Sequence, residues 1–193
     1  MTYETHPLEP FLPSNGRVLF LGSFPPPRAR WCMDFFYPNW INDFWRIMGV
    51  VFFCDANWFI MQREKRFDKQ KIIEFCGSKG LAFFDTARKV CRKQDNASDD
   101  HLEIVEPTDV EALLRQMPDC HDVVTTGGKA SEELFRQLSL ASDTSFALPK
   151  IGENVMLRVF GRELRWWRMP SSSRAYPLKM EKKAAYYARL FAV

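Results

Sequence analysis

The residues best placed to do chemistry lie between Val18 and Trp45, in VLFLGSFPPPRARWCMDFFYPNWINDFW. An apolar run breaks at Gly22-Ser23 and enters a loop stiffened by Pro25, Pro26 and Pro27. The loop carries Phe35, Phe36 and Tyr37, then delivers the amide of Asn42 beside Phe44 and Trp45. A buried strand feeding a rigid, aromatic-lined loop is a common way to build a pocket for a flat ligand. Asn42 also suits a plainer role, capping a helix that begins at Asp43.

Other candidate chemistries fail on spacing. Gly127-Gly128-Lys129 looks like the end of a phosphate-binding loop, but GxxxxGK[ST] needs glycine where the chain has Val123 and a hydroxyl where it has Ala130. A strand-to-helix turn there still offers backbone N–H groups to an anion. Gly22-Ser23-Phe24-Pro25-Pro26 is not a nucleophile turn, because Phe24 stands where the serine of GxSxG belongs. Cys32, Cys54, Cys76, Cys91 and Cys120 are widely spaced with no CxxC pair, which argues for buried free thiols over zinc or an iron–sulfur cluster. His6, His101 and His121 lie outside metal-binding spacing, so neither a metal nor a cofactor is expected.

The elements that position these residues follow from periodicity and turn signals. Strands are expected at Arg17–Gly22, Leu81–Phe84, Val123–Thr126, Val155–Phe160 and Arg162–Met169, the last two joined around Gly161. Helices are expected at Asn42–Phe52, Asp68–Ser78, from Pro107-Thr108 up to Pro118, Ala130–Leu138 and Lys179–Phe191, with Asp95–Asp100 a polar loop. Strands separated by helices imply an α/β fold whose mostly parallel sheet is covered on both faces. Ligands of such sheets sit beyond the carboxyl ends of the strands. Three loops fall there: Ser23–Trp40, Thr126–Lys129 and Met169–Pro177.

The 193 residues suit one domain, 1–193, and no apolar run approaches the roughly 20 residues of a membrane span. The start, MTYETHPLEP, lacks the basic flank and apolar stretch of a secretory signal, so a cytoplasmic protein is expected. The net charge of +3 hides an asymmetry: Asp95 to Asp122 is mostly acidic, while from Arg162 onward eight basic residues (Arg162, Arg165, Arg168, Arg174, Lys179, Lys182, Lys183 and Arg189) face only Glu163 and Glu181. Such a cluster can be a footprint for a polyanion. On charge alone, a solvated helix face and an ordinary polar strand account for it better.

Four motifs in order carry more information. LGSFPPPRARWCMDFFYPNWINDFWRIMG, GLAFFDTA, VVTTGGKA and MPSSSRAYPLKMEKK together resemble the uracil-DNA glycosylase superfamily, and within it the hypoxanthine-DNA glycosylase-like branch, over about Arg17 to Phe191. That branch has a GSFP-like turn, an NxFW segment, a GIALWD-like strand, an NGKKA-like turn and an LPSxSPA-like loop.

The resemblance implies a three-layer α/β/α sandwich around a mostly parallel four-stranded sheet, in a monomer that excises hypoxanthine or uracil from DNA in base excision repair. Chemistry on a base requires it to be flipped out of the stack into a snug pocket. By the same resemblance, Asn42 is the catalytic residue, and Ser23, Phe24, Phe36 and Thr126 line the base pocket. Ser171, Ser172, Ser173, Arg174, Tyr176 and Lys179 hold the DNA, with Arg174 or Tyr176 filling the gap left by the base.

The chain departs from the pattern in three places. Phe24 stands where many members carry a water-activating Asp or Asn, Met169 replaces a histidine, and Thr126 replaces the asparagine of the NGKKA turn. Two alternatives therefore stay open: a catalytically weak or inactive relative that binds nucleic acid, or an enzyme processing nucleosides or nucleotides on the same fold.

Overall fold

The computed structural model describes residues 2–92 and 102–192; the polar segment Asp95–Asp100 and His101 lie outside them. In chain order the elements are β1 (Thr2–Thr5), β2 (Val18–Gly22), α1 (Phe44–Phe53), β3 (Ile60–Met61), β4 (Arg66–Phe67), α2 (Lys69–Lys79), β5 (Leu81–Asp85), β6 (Ala87–Arg92), β7 (Leu102–Pro107), α3 (Val110–Arg115), β8 (Asp122–Thr126), α4 (Gly128–Ala141), β9 (Asn154–Val159), β10 (Arg162–Met169) and α5 (Met180–Phe191).

The central sheet has five strands in the order β5-β2-β8-β10-β9, not the four expected. The first four run parallel, and their carboxyl ends lie in register: Gly22 beside Asp85, Leu21 beside Thr125, and Met169 beside Thr126. The fifth strand arises because Gly161, at φ 72°, turns the chain tightly enough for β9 to fold antiparallel to β10 and cover its edge. β2, β5 and β8 are buried along their whole length, the pattern of parallel strands covered on both faces.

Register assigns the two faces. Phe20, Phe83 and Val124 share one face, where Phe44 of α1 packs edge-on against both phenylalanines and Tyr187 of α5 packs against Phe44. Leu21, Phe84 and Thr125 share the other, where the Thr125 hydroxyl meets the Ser131 hydroxyl of α4 at 2.9 Å. The result is a helix–sheet–helix sandwich, as the motif order implied. Asp68 and Asp109 cap α2 and α3 through their side chains. α3 therefore starts at Val110 rather than at Pro107-Thr108, because Pro107 still belongs to β7 and Thr108 donates its hydroxyl to the Asp85 carbonyl at 2.7 Å.

The sequence reading contains no strand at Thr2–Thr5, Ala87–Arg92 or Leu102–Pro107, yet these form a second, antiparallel sheet in the order β1-β6-β7. Half of β6 is Arg or Lys, which hides its apolar Ala87, Val90 and Cys91 from a periodicity argument. Its neighbours are acidic: Lys89 lies opposite Glu106, and Arg92 bonds the Glu4 carboxylate at 2.7 Å. Opposite charges across strands stabilise such a sheet. The Arg92 guanidinium also reaches the Pro25 carbonyl at 3.2 Å, tying this sheet to the proline loop.

The basic C-terminal segment does not act as one patch. Arg165 and Arg162 sit toward the amino ends of the strands, where Arg165 grips Asp122 at 2.6 and 2.9 Å and Arg162 bonds the Met117 and Cys120 carbonyls. Asp122 also accepts from the Trp167 indole at 2.8 Å. Among the described residues, no helix is long and apolar enough to cross a membrane. Cys76, Cys91 and Cys120 are buried, Cys32 is half-buried and Cys54 is exposed.

Two predictions follow from this packing. Asp122→Ala leaves a guanidinium and an indole N–H without their acceptor, and should cost about 2–4 kcal/mol in urea unfolding. Burial pushes the Cys76 thiol far up and the Cys120 thiol up to about 12, which suppresses their reactive thiolates. A disulfide reagent at about pH 8 should label Cys54 first and Cys32 more slowly, reaching the three buried thiols only after unfolding.

Candidate functional site

The carboxyl ends of the parallel strands open into a cleft of about 800 Å³. Its lining comes from the three loops expected there, after β2, β8 and β10, together with Asp85 at the end of β5. Of the site residues read from the sequence, Asn42, Ser23, Phe24, Phe36, Thr126, Ser171, Ser172, Ser173, Arg174 and Tyr176 all line it. Lys179 does not; it is exposed and forms the N-cap of α5. None of Gln62–Phe67 lines it either. Phe67 is instead buried behind the site, against Trp40 and beneath the Arg46 guanidinium.

Asn42 is fixed from both sides. Its Oδ1 accepts the Phe44 N–H at 2.9 Å, so the amide takes part of the capping role while Asp43, the residue at the N-cap, makes no side-chain cap bond. That bond orients the amide, because only the oxygen can face a backbone N–H. The main chain of Asn42 bridges Ser173, and the Asp43 N–H donates to the Ser172 carbonyl at 3.0 Å. Asn42 and the serine loop therefore move as one body.

A charge cluster around the buried Asp43 locks this joint. Arg174, itself exposed, donates its Nε–H to the Asp43 carboxylate at 2.8 Å, so the side chain suggested as a gap filler is tied to that carboxylate. Arg46 lies 3.9 Å from the same carboxylate and donates to the Trp40 and Asn42 carbonyls. Lys183 is fully buried and donates to the Ser173 carbonyl at 2.6 Å. Burial pulls its ammonium below the usual lysine range, Asp43 opposes the shift, and Arg174 adds to it.

The aromatic wall is rigid. Tyr37 stacks face to face on Phe44 at 3.8 Å and 4°, and its backbone sits at φ 50°, an uncommon conformation for a bulky residue. The buried Trp45 indole donates to the Phe36 carbonyl at 2.9 Å. Phe36 is itself buried, stacked on Phe83, whereas Phe24 is half-buried. The Tyr37 hydroxyl and the Thr126 hydroxyl share a hydrogen bond at 2.8 Å. Burial pushes the Tyr37 phenol far above its ordinary range; the Thr126 bond opposes this and the Asp85 charge adds to it. Tyr37 thus serves as a neutral hydrogen-bonding group and not as a base.

Gly127, at φ 97°, brings the start of α4 against Ser171: a Cβ there would lie 3.5 Å from the serine Cβ. Arg30, Lys129 and Arg174 bring positive charge to the rim, with Glu132 opposing them. Ile41 is 51% exposed beside Asn42. Among the described residues, no group of three or more His, Cys, Asp or Glu is placed to hold a metal ion.

Sequence reasoning missed three residues of the site. Tyr37 was legible only as one more aromatic residue, and Asp85 only as the end of a strand. His6 lies 79 positions before Asp85 and bonds it at 3.0 Å, a contact set by the second sheet and not by any local signal.

Neither a protein-family model nor a curated protein matches the chain. Among solved structures it is similar to a solution NMR structure from Methanosarcina acetivorans described as a "putative Uracil DNA glycosylase". The two superpose with a TM-score of 0.62 at 18% identity, over 100% of both chains. At that identity the likeness is one of fold, and the chain has the mixed α/β fold that its four motifs imply.

Proposed function

We propose that the protein is a monofunctional DNA glycosylase that flips a deaminated base, hypoxanthine or uracil, into the cleft and hydrolyses its N-glycosidic bond. The observation that carries this reading is the position of Asn42: inside the cleft, oriented by Phe44 N–H and bridged to the serine loop. In the reaction the bond from C1′ to the base nitrogen breaks, its electrons leave with the base, and water adds to C1′. A neutral amide is too weak to deprotonate water fully. It can orient the water and stabilise developing charge as a fixed dipole. No metal, cofactor or covalent lysine intermediate enters this scheme.

The rest of the cleft supports the same reading. An extruded base would lie against Phe24 and Phe36. The half-buried serines Ser171 and Ser173 and the basic rim would meet backbone phosphates, contacts that position without reading sequence. With Arg174 held by Asp43, the half-buried Tyr176 is the better candidate for the vacated stack.

Excess protein incubated with oligonucleotides carrying one hypoxanthine or uracil, then treated with alkali, should give strand breaks at that position. Asn42→Ala should lower the single-turnover rate by about 100-fold or more while DNA affinity changes little. Its melting temperature should be measured alongside, since losing the bond to Phe44 costs about 1 kcal/mol. DNA binding without breaks would favour the inactive relative. Release of base from free nucleosides, but not from DNA, would favour the nucleoside enzyme.

A further inference from the structure

We propose that a second pocket, back to back with the cleft, takes the base of the nucleotide next to the flipped one; this rests on the glycosylase reading above. The pocket has a volume of about 240 Å³ and is lined by Trp31, Arg28 and Glu4 together with Phe24, Pro25 and Pro26. The last three also line the cleft, so one short stretch of chain is the wall between the two spaces. Trp31 itself does not line the cleft.

Wall and ring are both held in place. The buried Arg92 guanidinium bonds the Pro25 carbonyl at 3.2 Å. The Trp31 indole N–H donates to the Pro26 carbonyl at 2.7 Å, and the Arg28 guanidinium lies 4.1 Å from the ring centroid. Between them, Arg28–Arg30 form one exposed 3-10 turn, in which the Arg30 N–H donates to the Pro27 carbonyl at 2.9 Å. This turn sends Arg28 to the second pocket and Arg30 to the cleft. A ridge with an arginine on each flank suits a polyanion that passes from one space to the other. The nearby carboxylates are already matched, Glu4 by Arg92 and Asp34 by Arg28, while Arg30 makes no ion pair among the described residues.

With its N–H spent on Pro26, Trp31 presents ring surface and no hydrogen bond, and stacking on a ring is open to any base. The Arg28 guanidinium adds a second plane on which a base can lie. Phe24 is common to both spaces, so the flipped base and its neighbour lie on opposite sides of one wall. A strand bent over the ridge in this way has two adjacent bases out of the stack. Each must lose its pairing partner, and unpairing costs least in DNA that is already single-stranded. The protein therefore favours a lesion in single-stranded or locally opened DNA over one in an intact duplex.

The test uses single-stranded oligonucleotides with one hypoxanthine on a 2′-fluorinated sugar, which keeps the base attached. The 5′ neighbour, or separately the 3′ neighbour, is either intact or abasic. The wild-type protein should bind about tenfold or more weaker when the neighbour on one side lacks its base. Trp31→Leu should abolish that difference, whereas Trp31→Phe, which also loses the indole N–H but keeps a ring, should retain most of it. Arg28→Gln, an exposed change, should reduce it. The same lesion in an intact duplex should bind more weakly than in the single strand, by a smaller margin in Trp31→Leu. Thermal melts check that each variant is folded. Wild-type affinity that ignores both neighbours, or a difference that survives in folded Trp31→Leu, overturns the inference. In either event, base release by the wild type from unmodified hypoxanthine DNA would leave the glycosylase reading standing. If the wild type binds none of the probes and releases no base, both fall.

Discussion

The cleft depends on one buried carboxylate. Asp43 takes hold of the serine loop with its N–H, starts α1 with its carbonyl, and pairs through its side chain with Arg174 and Arg46. Those cations anchor the chain on either side, since Arg46 reaches the Trp40 and Asn42 carbonyls and Arg174 belongs to the loop after β10. Lys183 closes the arrangement from α5. A carboxylate so surrounded stabilises a geometry more than it stabilises the fold, because desolvating the ions costs much of what their attraction returns. Two loops that leave different strands thus share a single joint, and Asn42 stands on it.

Around that joint the walls are stiff. The Tyr37–Phe44 stack, the Trp45 bond to the Phe36 carbonyl and the Arg92 bond to the Pro25 carbonyl each fix one section of the long loop after β2. The residues concerned come from the loop itself, from α1 and from β6. A cavity assembled this way spends little ordering entropy when a flat ring enters it, which favours affinity by preorganisation.

The central sheet was legible because β2 and β5 carry uninterrupted apolar runs and β8 a β-branched run, Val123 to Thr126, each bounded by glycine or polar residues, and the cleft because loops at the carboxyl ends of parallel strands have a known destination. Asn42 was legible from its neighbours Phe44 and Trp45. The second sheet was not. β6 reads as solvated when taken alone, and its apolar side chains find partners only when the acidic strands β1 and β7 flank it. His6 was read as a histidine without a metal-binding neighbour, and its actual partner is a carboxylate on another sheet. Such pairings depend on three-dimensional register, to which spacing along the chain is blind. The charge asymmetry says little about the cleft, since Arg162 and Arg165 are spent on carbonyls and a carboxylate at the opposite ends of the strands.

Gly22 shows how narrowly the floor of the cleft is specified. Oδ1 of Asp85 already occupies the space a Cβ at position 22 would need, and the Tyr37 hydroxyl lies 3.7 Å from the same point. A side chain at position 22 would have to displace the Asp85 carboxylate from this point, so glycine at the end of β2 leaves this part of the floor to β5.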